Sequence, residues 1–198
     1  MLKNTLSLLL CSMFLLSAHN ALAESNTINL KLAENFANKL CPTARWQKTA
    51  LVFLGAKDAR EEKQVGEQQQ KNAEPLGLLT EPKLEDIFAD ALKTTLQTCG
   101  IVLTKSSEDI EHPTLSVNVE DFFAGSNKKW LTGKTSAHAQ VSLTLIKQQQ
   151  TSTTTITADI DSKKLRQKSI KQIQLVLNEL LAETITQLVN TKELQELK

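Results

Sequence analysis

Residues 137–145 of the chain have the sequence AHAQVSLTL, in which apolar and polar side chains alternate without a break. Successive side chains of a β-strand point to opposite faces of a sheet, so this alternation predicts a strand with one buried and one polar face. The same period of two is present in residues 115–120 and 154–160. These three stretches therefore predict three strands of a mostly antiparallel sheet. Residues 147–152 between the last two strands contain no Gly, so we expect a loose loop of about four or more residues there.

Two shorter apolar runs predict further strands. Residues 49–54 (TALVFL) form a continuous apolar run that ends at Gly55, which is typical of a strand covered on both faces. Residues 101–103 (IVL) directly follow Gly100, which stands where a helix would end. Together with the three alternating stretches, these runs give a sheet of about four to five strands.

Helical periodicity accounts for three other parts of the chain. Residues 82–99 and 169–188 each carry an apolar stripe with the spacing of one helix face, and a shorter stripe lies in residues 24–40. The polar residues 56–79 show no sustained period, and we expect a long exposed loop. The predicted fold is α+β: a mostly antiparallel sheet with two main helices packed on one face, plus an N-terminal helix.

The first 23 residues have the features of a secretory signal peptide. Lys3 precedes an apolar stretch from Leu6 to Leu16, and Ala21 and Ala23 stand at the positions that a signal peptidase recognises. We therefore expect cleavage near Ala23 and a periplasmic or secreted protein. The remainder, residues 24–198, then forms one domain with no transmembrane span.

An alternative for the same segment is lipid attachment at Cys11. Leu8 and Cys11 have the spacing found at the end of a bacterial lipoprotein signal, but Leu10 occupies the place where Gly or Ala is expected. Cleavage before Cys11 would also leave an apolar stretch at the start of the mature protein. We therefore favour cleavage near Ala23 over lipid attachment at Cys11.

Charge and composition exclude several classes of function. The chain has 23 basic and 22 acidic side chains, and removal of the signal with its single Lys leaves both numbers equal. A balanced charge does not attract a polyanion, so we expect no nucleic-acid partner. The content of 40% hydrophobic and 23% charged residues is that of a soluble globular domain.

Export determines which cysteines the mature protein keeps. Cys11 leaves with the signal peptide, so Cys41 and Cys99 remain, separated by 58 residues. An even number of cysteines in an oxidising compartment favours a disulfide, which would stabilise the fold by roughly 4 kcal/mol. Two separate buried thiols, or a reactive thiol, remain the alternatives at this point.

No known catalytic motif is present in the sequence. The His residues lack partners at the spacings of metal ligands, and neither nucleophile motifs nor phosphate-binding loops occur. We therefore predict no catalytic residues, no metal site and no cofactor. A hydrolase that uses dispersed carboxylates is the alternative, and its candidate residues are Asp58, Glu61, Glu120 and Asp121. We favour the interpretation that the residues around Asp58 and Arg60 form a solvated run of charges.

A binding surface is predicted around the aromatic residues Phe122, Phe123 and Trp130. Neighbouring residues of a strand point to opposite faces, so one of Phe122 and Phe123 is expected to be exposed. Exposed aromatic side chains next to a loop are typical of binding sites.

Parts of the sequence resemble the YajG-like family of bacterial envelope lipoproteins. The resemblance is carried by residues 51–53 followed by Asp58-Ala59-Arg60, by residues 84–102 with Gly100 after the helix, by residues 176–185, and by residues 192–194. It extends over roughly residues 48–195. It implies an α+β envelope domain, and it transfers no catalytic residue to this chain.

The sequence as a whole predicts a non-enzymatic accessory or binding protein of the envelope. Its partner would be an envelope protein, a glycan or a lipid. Besides the hydrolase, a protein that forms homodimers through its last helix is an open alternative.

Overall fold

A computed structural model describes residues 26–42, 46, 49–68, 70, 73–104, 112–126, 135–162 and 169–197. The described residues form eight strands in one sheet, together with four helices. In chain order, the elements are β1 (Asn26–Ile28), α1 (Phe36–Leu40), β2 (Ala50–Asp58), β3 (Gly66–Gln68), β4 (Leu76–Thr80), α2 (Leu84–Thr98), β5 (Val102–Thr104), β6 (Thr114–Ser126), β7 (Thr135–Lys147), β8 (Gln150–Ser162), α3 (Ile170–Val189) and α4 (Lys192–Gln195).

Strand β6 is the centre of the sheet. One of its edges pairs antiparallel with β7 along its whole length, and β7 pairs antiparallel with β8. The other edge is shared: β2 lies parallel to the first half of β6, and β3 lies parallel to the second half. Strand β5 extends the sheet beyond β2, and β4 and β1 extend it beyond β3. The sheet therefore forks at β6.

The prediction of a mostly antiparallel sheet of four to five strands is wrong. The observed sheet is mixed, with parallel pairs between β2 and β5, β2 and β6, β3 and β6, and β1 and β4. Parallel neighbours need a long crossover connection, and the segment from β2 to β5, which contains α2, supplies one for that pair. A continuous apolar run such as that of β2 is also typical of parallel strands, which helices cover.

Two segment predictions are also corrected. Residues 56–79, expected to be a loop, contain the end of β2, all of β3 and most of β4. The expected N-terminal helix over residues 24–40 is reduced to α1, because residues 26–28 form β1 beside β4. Strand β3 is held close to β6, and a Cβ atom on Gly66 would lie 2.8 Å from the carbonyl oxygen of Ala124. Glycine is required at this approach.

The connection between β7 and β8 is tighter than expected. Lys147 pairs with Gln150, and only Gln148 and Gln149 lie between them, with φ angles of 50° and 67°. Two successive residues in the left-handed region form the turn that best matches the twist of a hairpin. Gln adopts this conformation here without the Gly that the turn usually contains.

The core lies between the sheet and the two longer helices. Phe88 of α2 meets Phe122 of β6 edge to face, and Leu177, Leu180 and Leu181 of α3 are buried in the same apolar cluster. The side chains of the apolar stripe of α3 are thus buried inside the domain and are not available to pair with another helix. A short last helix, α4, follows at the end, and Trp46 Nε1 donates a hydrogen bond to the carbonyl of Leu194 in it at 2.8 Å.

A disulfide joins Cys41 to Cys99, with 5.1 Å between the Cα atoms. Cys41 follows α1 and Cys99 follows α2, so the bond ties the N-terminal segment to the end of the helix that feeds β5. Both residues are buried. Of the possibilities left open for Cys41 and Cys99, the structure contains the disulfide. Residues 1–23, predicted as the signal peptide, lie outside the described residues.

Candidate functional site

The outward face of β6, β7 and β8 is a broad polar surface. Helices α2 and α3 pack on the opposite, inward face together with the apolar core. The outward positions are Ser116, Asn118, Asp121 and Phe123 of β6, then Ser136, His138, Gln140, Ser142, Thr144 and Ile146 of β7, and Thr151, Thr153, Thr155, Thr157, Asp159 and Asp161 of β8. We call this surface the outer face.

A β-bulge concentrates two carboxylates on the outer face. The register between β6 and β7 shifts between Val119 and Asp121, which leaves Glu120 as an extra residue. In a regular strand Glu120 and Asp121 would point to opposite faces, but the bulge turns both toward β7. The sequence shows an acidic pair, and only the register shows that the two acids share a face.

Each of these carboxylates is held by a side chain of β7. Glu120 accepts hydrogen bonds from Gln140 Nε2 at 2.6 Å and from Ser142 Oγ at 2.5 Å, and Ser142 also lies 2.9 Å from Thr155 Oγ1 of β8. Asp121 Oδ2 is 2.8 Å from His138 Nε2. A network of polar contacts therefore crosses all three strands, and it fixes the orientation of the side chains on this face.

The structure separates the residues of the predicted aromatic surface. Phe122 is fully buried on the inward side against Phe88. Phe123 is half-buried on the outer face, where its ring centroid is 6.2 Å from that of His138. Trp130, the third residue of this prediction, lies outside the described residues. Phe123 and His138 are thus the aromatic part of the outer face that the structure describes.

Arg60 lies beside this surface, at the fork of the sheet. The last pair between β2 and β6 is Asp58 with Val119, and the pair between β3 and β6 is Gly66 with Ala124. Between these two points Arg60 Nη1 donates to the carbonyl oxygen of Phe122 at 2.9 Å. The guanidinium therefore satisfies a β6 carbonyl where β6 changes its neighbouring strand.

The rest of the guanidinium binds a buried carboxylate. Arg60 Nε and Nη2 donate to the two oxygens of Asp58, each at 2.9 Å, and Nη1 also donates to the carbonyl of Gln64. The side chains of Asp58 and Arg60 are each 5% exposed. The expectation of a solvated run of charges is thus wrong for these two residues, whereas Glu61 and Glu62 are exposed as expected.

The surroundings of Asp58 and of Glu120 favour the ionised form of each carboxylate. Burial acts to raise the pKa of Asp58, but the hydrogen bonds and charge of Arg60, with the charge of Lys63, outweigh it and lower the pKa below its usual value. The hydrogen bonds from Ser142 and Gln140 lower the pKa of Glu120. Carboxylates with these shifts are suited to accept hydrogen bonds, and a general acid requires the opposite shift.

Three of the four carboxylates proposed for a hydrolase line one shallow cavity of about 330 Å³. These are Glu61, Glu120 and Asp121, which share the cavity with Arg60, Glu62, Gln64, Phe123 and His138. Asp58 lines a different cavity of about 340 Å³, next to Lys63, Lys83 and the start of α2. The structure therefore brings most of this set together and places Asp58 apart from it.

Two further properties bear on function. Within the described ranges, His, Cys, Asp and Glu side chains do not gather in groups of three or more that would hold a metal ion. Of the helices in the described part of the chain, none has both the length and the apolar character that crossing a bilayer requires.

The chain matches, over residues 42–197, a protein family described as uncharacterized lipoprotein. No curated protein matches this sequence.

Solved structures share the fold. The crystal structure of protein XCC0632 from Xanthomonas campestris superimposes with a TM-score of 0.61 at 13% identity, covering 86% of this chain and 96% of that one. The crystal structure of an uncharacterized protein superimposes with a TM-score of 0.50 at 13% identity, covering 87% and 100%. At this level of identity, the likeness extends to the fold alone.

Proposed function

We propose that this chain, which belongs to the family of uncharacterized lipoproteins, is a non-enzymatic accessory protein of the cell envelope that acts by binding a partner. The binding site in this proposal is the outer face around Phe123 and His138. The finer resemblance to YajG-like proteins, drawn from the sequence, is part of the same proposal.

The observation that carries the proposal is the preorganised network on the outer face. Cross-strand contacts hold Glu120, Asp121 and Ser142 in fixed positions beside the half-buried Phe123. Side chains that are already ordered lose little conformational entropy when a partner binds. An aromatic group surrounded by fixed polar groups also resembles the centre of a binding site, where aromatic residues contribute most of the affinity.

The chemistry of this surface favours a polar partner. The outward positions near Phe123 are carboxylates, hydroxyls, amides and an imidazole, all of which exchange hydrogen bonds with a ligand. An envelope protein or a glycan offers such groups in number. We therefore favour these partners over the acyl region of a lipid.

Export to the envelope is supported by the cysteines. Cys41 and Cys99 form a disulfide, and disulfides persist in oxidising compartments. Because these two are joined, Cys11 is the remaining cysteine of the chain that lipid attachment would use. We propose cleavage near Ala23, and the mass of the mature protein tests it. A mass that corresponds to a chain starting at Cys11 with acyl chains attached would show a lipid anchor and contradict cleavage near Ala23.

Capture of partners from envelope extracts tests the binding site. Wild-type protein and the variants Phe123→Ala and His138→Ala are immobilised, and Leu175→Ala serves as the matched control. Leu175 is an apolar residue of α3, 51% exposed and outside the outer face. We expect both outer-face variants to lose a partner that wild type and control retain. Equal recovery by all four folded proteins would contradict the proposed site.

A hydrolase is the second candidate, because Glu61, Glu120 and Asp121 share a cavity. Hydrolysis by paired carboxyl groups needs one of them protonated, and the lowered pKa of Glu120 opposes that role. Purified protein is incubated with chromogenic glycosides and esters, beside a Glu120→Gln, Asp121→Asn double variant. We expect no turnover by either protein. Turnover by wild type that the double variant abolishes would establish the hydrolase instead.

A further inference from the structure

Among the described residues, strand β8 has a long edge that no other strand pairs with. All of its 13 residues, from Gln150 to Ser162, lie opposite β7 on one side. No described residue pairs with its other side. The strands at the far ends of the fork, β1 and β5, have three residues each. In the described sheet, β8 therefore presents the longest free edge.

The geometry of the β7–β8 hairpin determines which residues of β8 direct their backbone N–H and C=O groups away from β7. In a hairpin with a two-residue turn, the flanking residues Lys147 and Gln150 exchange hydrogen bonds, and along an antiparallel ladder bonded and non-bonded pairs alternate. Even-numbered residues of β8 thus bond to β7. The odd-numbered residues direct N–H and C=O outward, and they are Thr151, Thr153, Thr155, Thr157, Asp159 and Asp161.

This edge has few of the devices that prevent strands from pairing, and its two charged side chains, Asp159 and Asp161, lie near one end. Natural edge strands are interrupted by Pro, by Lys or by a bulge, or they are short. Residues 150–162 (QTSTTTITADIDS) contain no Pro, Lys, Arg or Gly, and their register with β7 has no shift. Thr occupies five of these 13 positions, all of them within residues 151–157. Thr is a β-branched residue and favours strands. Such an edge is suited to accept another strand.

We infer that the occupant of this edge is β8 of a second copy of the chain, in antiparallel orientation. Full overlap of the two strands places Ile156 on the two-fold axis, opposite Ile156 of the second copy. Asp159 then faces Thr153 of the second copy, and Asp161 faces Thr151. A parallel arrangement would instead place Asp159 beside Asp159, and like charges directly opposite each other destabilise a sheet.

The inward side of β8 supports the same occupant. Ile156 and Ile160 point toward the α3 side of the sheet, and both are only half-buried, although they pack against the core. In the antiparallel dimer the two copies of Ile156 cover each other, because they form a non-hydrogen-bonded pair, whose side chains lie closest. The dimer thus joins two eight-stranded sheets into one and extends the apolar layer beneath them.

Light scattering and sedimentation over a range of concentrations test the dimer. Thr157→Pro removes an outward N–H while leaving the bonds to β7 intact, and Pro is tolerated at such edge positions. Thr157→Val keeps the N–H and serves as the matched control. We expect wild type and Thr157→Val to dimerise and Thr157→Pro to remain monomeric with an unchanged circular dichroism spectrum.

Two results would overturn the inference. Wild-type protein that stays monomeric up to the highest soluble concentration would exclude a second copy and leave the edge to another partner. A folded Thr157→Pro protein that dimerises as wild type does would place the dimer on another surface.

A cysteine pair tests the register. Ile156→Cys places two thiols across the axis at the Cα separation of a non-hydrogen-bonded pair, about 4.5 Å, which a disulfide can bridge. Ser152→Cys is the control, because it faces Ile160 of the second copy. We expect a covalent dimer on mild oxidation from Ile156→Cys and none from Ser152→Cys. The reverse result would show that the strands do not pair with full overlap.

Discussion

Two carboxylates beside β6 each contact a nitrogen-bearing side chain at nearly equal distance, and the two pairs differ in their exposure to water. Arg60 Nε is 2.9 Å from Asp58 Oδ1, and both side chains are 5% exposed. His138 Nε2 is 2.8 Å from Asp121 Oδ2, with the side chains 51% and 45% exposed. The first pair lies inside the fork of the sheet, and the second lies on the outer face.

The difference shows that the length of such a contact does not measure its contribution to the free energy of unfolding. Water solvates and screens the exposed pair, so losing one partner costs little. The buried pair has no water to replace a lost partner, and a lone charge left in the interior is strongly unfavourable. The Asp58–Arg60 pair therefore belongs to the architecture, whereas the fold depends little on the exposed Asp121–His138 pair.

The largest expected effect is that of Arg60→Met. The substitution leaves the Asp58 carboxylate buried without its partner and the carbonyl of Phe122 without its donor. We expect the free energy of unfolding to fall by about 3–5 kcal/mol, as measured by urea denaturation. Lys63→Met is the control, because Lys63 also contacts Asp58, at 3.5 Å, but is 55% exposed. Equal losses in the two variants would refute the role given to burial.

Acid should weaken the buried pair. The pKa of Asp58 is lower in the folded protein than its ordinary value, so the stabilisation is complete above about pH 4 and is lost as the pH falls through the folded-state pKa. Urea midpoints measured from about pH 5 down to about pH 2 should decrease in wild type. Asp58→Asn should reduce this dependence without abolishing it, since the pKa of Glu120 and of Glu193 is lowered too. An unchanged slope in Asp58→Asn would contradict the assignment.

An intermediate effect is expected for Ser142→Ala. Ser142 is buried on the outer face, and its hydroxyl contacts both Glu120 and Thr155. Loss of the hydroxyl should lower the free energy of unfolding by about 1.5 kcal/mol, because the bond to an ionised group is stronger than a neutral one. Ser136→Ala makes the same change on the same face of β7, where no described side chain bonds to the hydroxyl, and should have a smaller effect. A loss in Ser136→Ala as large as that in Ser142→Ala would assign the effect to strand propensity.

The smallest effect is expected for Asp121→Asn. This variant removes the charge of the exposed pair and should change the free energy of unfolding by less than about 1 kcal/mol. Chemical denaturation at low and high salt provides the measurement, and salt should narrow the difference from wild type. A loss of unfolding free energy close to that of Arg60→Met would contradict the difference expected between the buried and the exposed pair.

The parts of the fold that the sequence predicts are those with a strong local pattern. Strands β6, β7 and β8 alternate with a period of two, and α2 and α3 carry apolar stripes, so their residues identify them without any partner. Strand β3 has the sequence Gly-Glu-Gln, which shows no apolar alternation. It is a strand because it pairs with its neighbours β4 and β6, so its own residues do not identify it. Residues 76–80 (LGLLT) of β4 are mostly apolar, which is a local signal of a strand that the prediction of a loop over residues 56–79 missed.

The candidate site was predictable only in its residue types. The sequence locates Glu120, Asp121 and the two adjacent phenylalanines, but the bulge decides that both acids share the outer face with Phe123. A bulge depends on the register between two strands, and residues far apart in the chain set that register. The same holds for His138, which gains its role from the cross-strand partners Asp121 and Phe123.

The amino-acid sequence by itself determined the period of each long element, the balance of charge and the presence of two cysteines in residues 24–198. These properties are local or compositional, so they do not depend on the path of the chain. Tertiary structure alone decided the mixed sheet, the fork at β6 and the burial of Asp58 with Arg60. These features arise from contacts between residues that are distant along the chain, where a guanidinium finds its acceptors only after three strands have met.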